Sequence, residues 1–495
     1  MAQSNASQSY RNSDSSTPGS SHIPSNTSGT TPFRPAFLSP ASRPSSLWSP
    51  PSHVTHSHTA LHTIPSYPPS DLPPKAPLPS TLLSEKLTKE DKPWLNQRPD
   101  RRTRASRWVT FFMLFLGACG AGVLCWTGYQ SAGDTMIDPS RLCSIMEDTF
   151  DNLDVDNGGT WTRDVEMSGF GNGEFEMATA LSDNLFVRNG QLYIKPTLTS
   201  NALSNPKQVF NGGNYTLQGC TTLKTNASAC SASSSDRTGA TIPPVMSARI
   251  STRGSYNIRF GKVEVVAKLP RGDWLWPAIW MSPLSSVYGP WPLSGEIDIM
   301  EARGNSPSYP AQGVNFVRST LSWGPFPGLI SRLYGWQSLK RSTYAQRFHT
   351  YTLEWTESFI KIYVDTRLKS MVQLQIDRKQ QSNGGFFWKR GNFPLTAHNN
   401  TAAEVVVPNP WTTATVQNAT NAAPFDQPFY LILDLAVGGT SGWFPDKLGN
   451  KPWFDGSASA MRDFASQQGT WSATWPSDDD DLAFRIDSVR MWSLC

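Results

Sequence analysis

The 495-residue sequence lacks several patterns that mark other classes of protein. It has no long basic stretch with interleaved aromatic residues, which would indicate a nucleic-acid interface. It has no His and Cys cluster at zinc spacing, and no glycine-rich phosphate loop ahead of a helix. The formal net charge is only +4, and the densest basic cluster lies just before residue 110. We therefore expect no nucleic-acid partner, no metal site and no cofactor.

Sustained helical periodicity and internal repeats are also missing from most of the chain. Short apolar or alternating runs are separated by turn residues, a pattern typical of an all-β sandwich. Asn189-Gly190 separates two such runs and strongly indicates a hairpin. Further strands are predicted within residues 256–269, 351–355, 359–365, 429–439 and 484–492.

The N-terminal part of the chain has few large apolar residues. Residues 1–91 are rich in Ser, Pro, Thr and His, and such a segment buries too little surface to offset the entropy of ordering, so a disordered tail is predicted. Residues 92–107 form a basic juxtamembrane segment. Residues 108–130 carry no charge and are long enough to cross a bilayer as a helix. Residues 131–495 are expected to form the folded domain.

The charge distribution around the apolar run predicts its orientation. Basic residues precede the run and few follow it, which places the tail in the cytosol and the domain outside the cell or in the secretory lumen. Trp108, Trp126 and Tyr129 suit the two membrane interfaces. The run lies too far from residue 1 for an ordinary cleaved signal peptide. We therefore expect a single-pass type II membrane protein that is held by one signal-anchor helix.

The cysteines fit that location. Four of the six lie beyond the apolar run, and an even set in a secretory compartment favours disulfides. We expect a local Cys220–Cys230 bridge and a Cys143–Cys495 bridge between the domain ends, whereas Cys119 and Cys125 lie in the predicted span. Four sequons make N-glycosylation an expectation in this topology. They begin at Asn214, Asn226, Asn399 and Asn418.

Three carboxylates with the spacing Glu-x-Asp-x-x-Glu mark the main candidate site. On a strand, Glu296 and Asp298 share one face and the intervening isoleucines share the other. Glu301 would point into the core with the isoleucines unless a β-bulge at residues 299–300 returned it to the acidic face. The sequence therefore predicts either a bulged strand with three acids in a row or a regular edge strand with a solvated acidic face.

A bulged arrangement suits retaining glycoside hydrolysis. That reaction uses a nucleophilic carboxylate and a carboxylic acid roughly 5–5.5 Å apart. We assign Glu296 as nucleophile, Asp298 as its orienting partner and Glu301 as acid/base. The short aspartate leaves room for the two glutamates to lean together, and neighbouring charge with a partly apolar cleft raises the pKa of the acid.

The residues around this strand resemble glycoside hydrolase family 16. The resemblance is carried by Gly-Asp-Trp-Leu-Trp-Pro-Ala-Ile-Trp-Met at 272–281, Tyr-Gly-Pro-Trp-Pro at 288–292 and Gly-Glu-Ile-Asp-Ile-Met-Glu-Ala-Arg-Gly-Asn at 295–305. It is similar to the β-1,3-glucanase (laminarinase) branch and to the β-1,3-glucan-recognition proteins, over residues 161–492. The resemblance implies a curved antiparallel jelly roll of the concanavalin-like type, with a cleft on its concave face.

The resemblance also implies substrate-binding residues. A family tryptophan near this position stacks on a sugar, which points to Trp276 and Trp280, with Trp291 also close; core packing is the alternative for each. Asn172 and Glu174 match a cleft segment of the family, with an ordinary polar turn as the alternative. Arg249 matches a cleft arginine, with a surface ion pair as the alternative.

Two positions depart from the family pattern. Ser322 lies in a segment where relatives commonly carry His, and Asp434 stands where they usually carry Asn. A hydroxyl supplies no protonatable imidazole near the acid/base, so lower activity, altered subsites or transfer to sugar is expected. Separately, the tract of four aspartates at 478–481 suits calcium through its carboxylate oxygens, but a solvated acidic loop is favoured.

The sequence thus predicts a retaining endo-β-1,3-glucanase or glucan transglycosylase with β-glucan as substrate, held at a membrane. Two alternatives stay open. One is a non-catalytic β-1,3-glucan-binding protein, against which the retention of all three acids argues. The other is a cell-wall assembly protein whose tail directs traffic.

Overall fold

The structure is a computed structural model that describes residues 88–96, 100–376, 385–398, 404–417 and 419–495. The chain divides into two units, Met1–Pro99 and Asp100–Cys495. In the first unit the described part is a turn and the short helix α1 (Pro93–Asn96). The predicted disordered tail falls almost wholly on residues outside this description, so it stays a prediction.

The second unit is built mainly from strands. In chain order they are β1 (Leu142–Asp148), β2 (Thr162–Arg163), β3 (Glu176–Ala178), β4 (Leu185–Val187), β5 (Leu192–Ile194), β6 (Thr197–Leu198), β7 (Asn214–Thr216), β8 (Ser231–Ser233), β9 (Val245–Ser247), β10 (Arg249–Ser251), β11 (Gly261–Lys268), β12 (Leu275–Pro283), β13 (Glu296–Glu301), β14 (Phe316–Phe326), β15 (Leu329–Ser338), β16 (His349–Trp355), β17 (Phe359–Val364), β18 (Ser370–Gln375), β19 (Thr396–His398), β20 (Glu404–Val406), β21 (Phe429–Val437) and β22 (Phe484–Leu494).

Helices are few, and all but one are short. They are α2 (Arg101–Asp134), α3 (Thr199–Ala202), α4 (Phe386–Gly391), α5 (Ala460–Ser466), α6 (Gln468–Trp471) and α7 (Asp479–Leu482). Single 3-10 turns cover Pro139–Arg141, Gly169–Gly171, Pro206–Val209, Ala227–Cys230, Arg367–Lys369 and Ser472–Thr474.

Two large antiparallel sheets pack face to face. The cleft sheet has the strand order β15-β14-β13-β12-β21-β10-β2, and the outer sheet has the order β18-β17-β16-β11-β22-β5-β4 with β1 added to β22. Their inward side chains form one core, in which Ile297, Leu433, Val265 and Leu353 are fully buried. The predicted all-β jelly-roll sandwich is confirmed. Strand β1, which the sequence did not indicate, completes the outer sheet.

Local sequence explains the hairpin between β4 and β5. Asn189 and Gly190 have φ values of 54° and 68°, in the left-handed region that Asn and Gly adopt at low cost. This turn pairs Val187 with Leu192, so that Leu185 and Leu192 point into the core. The predicted hairpin is confirmed.

Both predicted disulfides are present. Cys143 at the start of β1 is bonded to Cys495 at the end of the chain, with the Cα atoms 5.8 Å apart. Cys220 and Cys230 clip a loop, with the Cα atoms 5.6 Å apart. The sequon residues Asn214 and Asn226 are exposed. The sequons at Asn399 and Asn418 lie outside the described residues.

Helix α2 contains the predicted span. Within the described residues, one helix is long and apolar enough to cross a membrane, over Arg101–Ser131. It begins inside the basic segment, which places its N-terminal arginines on the same helix as the apolar run. The large side chains of that run, including Phe112, Leu114 and Trp126, are exposed rather than packed into a protein core.

The four-aspartate tract differs from expectation. Residues 479–481 begin α7 and are paired with cations from the outer sheet and its loops, rather than lying in a free solvated loop. The pairs are Asp479 with Arg188 and Lys195, Asp480 with Arg188 and Arg485, and Asp481 with Lys268 and Arg271. These cations lie far away in sequence, so the tract alone gave no sign of them.

Candidate active site

The acidic strand β13 contains the predicted bulge. Asp298 is opposite Thr320 of β14, but Glu301 is opposite Arg318, so three steps on β13 match two on β14. Against β12, Trp280 is opposite Asp298 and Ile279 is opposite Met300, which leaves Ile299 as the extra residue. The hydroxyl of Ser319 donates to the Ile299 carbonyl at 2.6 Å and satisfies the disrupted ladder.

The bulge brings the three acids into one cleft. Ile297, Ile299 and Met300 are fully buried, whereas Glu296, Asp298 and Glu301 line a cleft of about 560 Å³ on the outward face of the sheet. Burial of the isoleucines holds this register, because a one-residue slip would turn them out to solvent. The regular edge strand with a solvated acidic face is therefore not what forms.

Two tryptophans fix the position of Glu301. The indole Nε1–H of Trp276 donates to Glu301 Oε1 at 3.2 Å. The Trp276 ring stacks on Trp443, with centroids 4.9 Å apart and planes 10° apart. Trp276 is thus a cleft residue as predicted, and its buried ring holds the acid rather than filling the core between the sheets. Its neighbour Trp274 packs into the core against Trp453.

Burial in the cleft raises the pKa values of all three acids. Burial, and next the charge of Glu301, raise the pKa of Glu296 to about 7. Burial and the two flanking glutamates raise the pKa of Asp298 well above its ordinary value. Burial also raises the pKa of Glu301, against the opposing charge of Arg318. The cleft therefore favours the protonated form of each of these carboxyl groups more than water does.

Arginines on the neighbouring strands offset part of this charge, and the sequence did not reveal them. Arg318 lies directly across from Glu301, and Arg332 lies across from Ser322 on the next strand. Both line the cleft, and the Nε of Arg318 is buried without a partner among the described residues. Arg318, Thr320 and Ser322 alternate along β14 and so share one face of the strand. This pattern would have placed Arg318 on the cleft face once the pairing of β14 with β13 was known.

Ser322 sits across from Glu296. It is 2% exposed and lines the cleft. Burial and the charge of Glu301 raise the pKa of Glu296, and the charge of Arg332 lowers it. A hydrogen bond with Ser322 is the next largest influence, and it also lowers this pKa. The hydroxyl therefore interacts with the proposed nucleophile and favours its ionised form.

The other wall of the cleft holds the remaining predicted residues. Asn172 Nδ2 donates to Glu174 Oε1 at 2.9 Å, while Glu174 Oε2 is buried without a partner among the described residues. Asn172, Glu174 and Arg249 all line the cleft. Arg249 donates to Asp164 at 3.0 Å and stacks on Trp280 at 4.8 Å.

Asp434 lies between Trp280 and Arg249 in the cleft. The indole of Trp280 donates to Asp434 Oδ1 at 2.7 Å, and Asp434 is paired with Arg249 across β21 and β10. Burial, and then the charge of Asp434, raise the pKa of Glu174 to about 7. Trp291 completes the predicted set as a cleft residue that is 44% exposed. Every substrate-binding residue predicted from the sequence thus lines one cleft.

Comparison with known proteins identifies a matching family model and several relatives. The family model described as glycosyl hydrolases family 16 matches residues 214–414, which include β13. The β-1,3-glucan-binding protein of Penaeus monodon is 37% identical over 365 residues, covering 71% of this chain and 90% of that protein. Glucan endo-1,3-beta-glucosidase A1 of Niallia circulans is 30% identical over 302 residues, covering 60% of this chain and 34% of that protein. The laminarinase structure from Rhodothermus marinus covers 72% of this chain and 98% of its own, with 22% identity and a TM-score of 0.43.

Proposed function

The chain belongs to glycosyl hydrolase family 16, and from that premise we propose that it is a retaining endo-β-1,3-glucanase or glucan transglycosylase. The observation that carries the proposal is the bulge in β13, which brings Glu296 and Glu301 into one cleft on either side of Asp298. Binding alone requires no nucleophile and no acid.

The proposed reaction has two displacements at the anomeric carbon. In the first, a Glu296 oxygen attacks that carbon, the glycosidic C–O bond breaks, and Glu301 gives its proton to the departing oxygen. In the second, Glu301 takes a proton from water or from a sugar hydroxyl. The oxygen of that molecule then displaces Glu296 and restores the original configuration. Water gives hydrolysis, and a sugar hydroxyl gives transfer.

Asp298 supports both steps as a neutral partner. Burial and the charges of the two glutamates raise its pKa well above the ordinary value, which favours the protonated form. A neutral carboxyl between the two glutamates adds no third negative charge and offers an O–H donor. The charge of Arg332, from the β15 side, favours the ionised form of Glu296.

The second wall supplies the proposed sugar contacts. Asn172 and Glu174, which are joined by a hydrogen bond of 2.9 Å, offer polar contacts to sugar hydroxyls from this wall. The Trp280 ring, oriented by Asp434, offers a flat apolar surface to the C–H face of a sugar. These contacts position the glucan so that its anomeric carbon meets Glu296.

A non-catalytic β-1,3-glucan-binding protein is the second candidate. It is supported by the name of the Penaeus monodon relative and by that of β-1,3-glucan-binding protein 1 of Manduca sexta, which is 30% identical over 364 residues. The latter alignment covers 66% of that relative's length. The cluster of three acids with raised pKa values favours the enzyme over this candidate.

The proposed location is a membrane, with the jelly roll outside the cytosol. Helix α2 carries an apolar stretch long enough to span a bilayer. The two disulfides suit an oxidising compartment. Both features support a type II anchor that presents the cleft to extracellular or luminal glucan.

Cleavage of laminarin by the full-length protein in detergent tests the proposal. We expect release of reducing sugar by the parent protein, or longer oligosaccharides if transfer dominates, and loss of both in Glu296→Gln. Glu264→Gln, on the outer sheet, is the matched control and should keep parental activity. Laminarin cleavage retained by Glu296→Gln would refute the assignment, and glucan binding without cleavage by the parent would favour the second candidate.

A further inference from the structure

The edge strand of the cleft sheet carries two exposed aromatic rings. Tyr334 and Trp336 are 51% and 49% exposed, although most large aromatic side chains of the domain are buried. Their rings are stacked, with centroids 6.3 Å apart and planes 27° apart. A contiguous exposed aromatic surface on a folded domain is typical of a binding site.

Strand register places this pair on the cleft face. Trp336 is opposite Arg318, and Tyr334 is opposite Thr320. Both β14 partners line the cleft, and directly opposite residues in an antiparallel pair point to the same face. The alternate residues of β15 point the other way, where Gln337 Nε2 donates to Ser370 O of the outer sheet at 3.0 Å. The aromatic pair therefore faces the same side as the three acids.

A continuous ladder of flat groups joins the pair to the interior of the cleft. Trp276 stacks on Trp443 at 4.9 Å, and the Arg318 guanidinium lies 5.7 Å from the Trp443 ring. The same guanidinium lies 4.0 Å from the Tyr334 ring, and Tyr334 stacks on Trp336. The ladder runs without a break from the indole that holds Glu301 to the edge of the sheet.

We propose that Tyr334 and Trp336 form a sugar-binding platform that extends the cleft across β15 and holds further units of the same glucan chain. The proposal rests on the function proposed above and adds a determinant of preference for long chains. The occupant follows from continuity with the cleft and from chemistry, because neutral sugars present apolar C–H faces that suit aromatic rings. Strand β15 lies two strands from β13, roughly 10 Å away at the usual strand spacing, which is within reach of one bound oligosaccharide.

Binding of short and long laminari-oligosaccharides tests the platform. The full-length protein in detergent carries Glu296→Gln, so that bound chains stay intact, and affinity is measured by titration calorimetry. Trp336→Ala and Tyr334→Ala are each expected to weaken binding of the long oligosaccharide about tenfold, the change that follows from losing roughly 55 Å² of buried apolar ring surface. Binding of the short oligosaccharide should be unchanged.

Two further variants separate stacking from misfolding. Trp336→Phe keeps a ring and should retain most of the affinity for the long oligosaccharide. Phe454→Ala removes a ring of similar exposure, 54%, that does not line the cleft, and should leave both affinities unchanged. Unfolding temperatures of all variants should match that of the parent.

Three results would overturn the platform. One is equal affinity of Trp336→Ala and the parent for the long oligosaccharide. Another is an equal loss for short and long oligosaccharides. The third is a change in oligomeric state on Trp336→Ala, since the pair would then be an interface between copies. Failure of the proposed catalysis would be seen in a different measurement, as absence of laminarin cleavage by the parent protein. The binding measurement would remain valid in that case.

Discussion

Replacing Glu301 by glutamine removes one ionisable group from the cleft while preserving its shape. The glutamine oxygen can still accept from the Trp276 indole, which reaches Glu301 at 3.2 Å in the parent. The change therefore separates loss of the acid/base from loss of structure. General acid–base catalysis contributes about 10²–10⁴-fold, so we expect kcat on laminarin to fall by about that factor, or about 3–5 kcal/mol in the barrier.

The same variant should change the pH profile of the remaining activity. Burial and then the charge of Glu301 raise the pKa of Glu296 from 4.5 to about 7. Removing that charge lowers the pKa of Glu296, while burial keeps it above 4.5. Because Glu296 must be ionised to attack, the acidic limb of the profile should move to lower pH in Glu301→Gln.

The assay compares two substrates over a range of pH. In laminarin the leaving sugar oxygen needs a proton. In an aryl glycoside with an acidic phenol, the phenolate leaves without one. We therefore expect a much smaller loss of the first, glycosylation step on the aryl glycoside, measured as the burst of phenol. Parental activity of Glu301→Gln on laminarin, or an acidic limb that moves to higher pH, would refute the assignment of roles.

Three further predictions concern the domain as a whole. Burial raises the pKa of Glu176 well above its ordinary value, so the folded state loses stability as pH rises from the unfolded-state value through the folded-state pKa. Glu176→Gln should therefore raise the unfolding temperature at mildly alkaline pH and leave it nearly unchanged in acid; a gain confined to acid would contradict this sign. Trp453→Ala should cost about 3–5 kcal/mol in denaturant unfolding, since the ring is fully buried, whereas Phe454→Ala next to it should change stability by less than about 0.5 kcal/mol. If the domain is luminal, enzymatic deglycosylation of secretory-pathway protein should lower its mass, and the Asn214→Gln plus Asn226→Gln variant should show a smaller decrease; an unchanged parental mass argues against glycosylation in that topology.

Local sequence was sufficient wherever the determining contacts are local. The isoleucines between the acids require burial, so Glu296 and Asp298 were expected to face outward. The odd spacing of Glu301 made a bulge one of two predicted arrangements, and the structure contains it. Asn189-Gly190 predicted its hairpin because few residue pairs accept two positive φ angles. The Cys220–Cys230 bridge, which closes a local loop, was also predicted correctly.

Residues far apart in sequence could not be assigned in this way. Arg318 enters the cleft because β14 pairs with β13, and Trp443 enters it because the loop after β21 folds back onto Trp276. The aspartate tract looked like a solvated loop because its cationic partners come from separate parts of the chain. Trp274 and Trp276 are only two residues apart, yet one packs into the core and the other holds Glu301.

The sequence by itself determined which faces of the main strands are buried, where the Asn189-Gly190 turn lies and which three acids are the candidates for one row, because these follow from side-chain alternation and from backbone preferences of adjacent residues. Only the tertiary structure decided which cations and aromatic rings surround those acids and how far their pKa values rise. Burial and charge act through space, and the distances that set them depend on how strands remote in the chain lie side by side in the sheet.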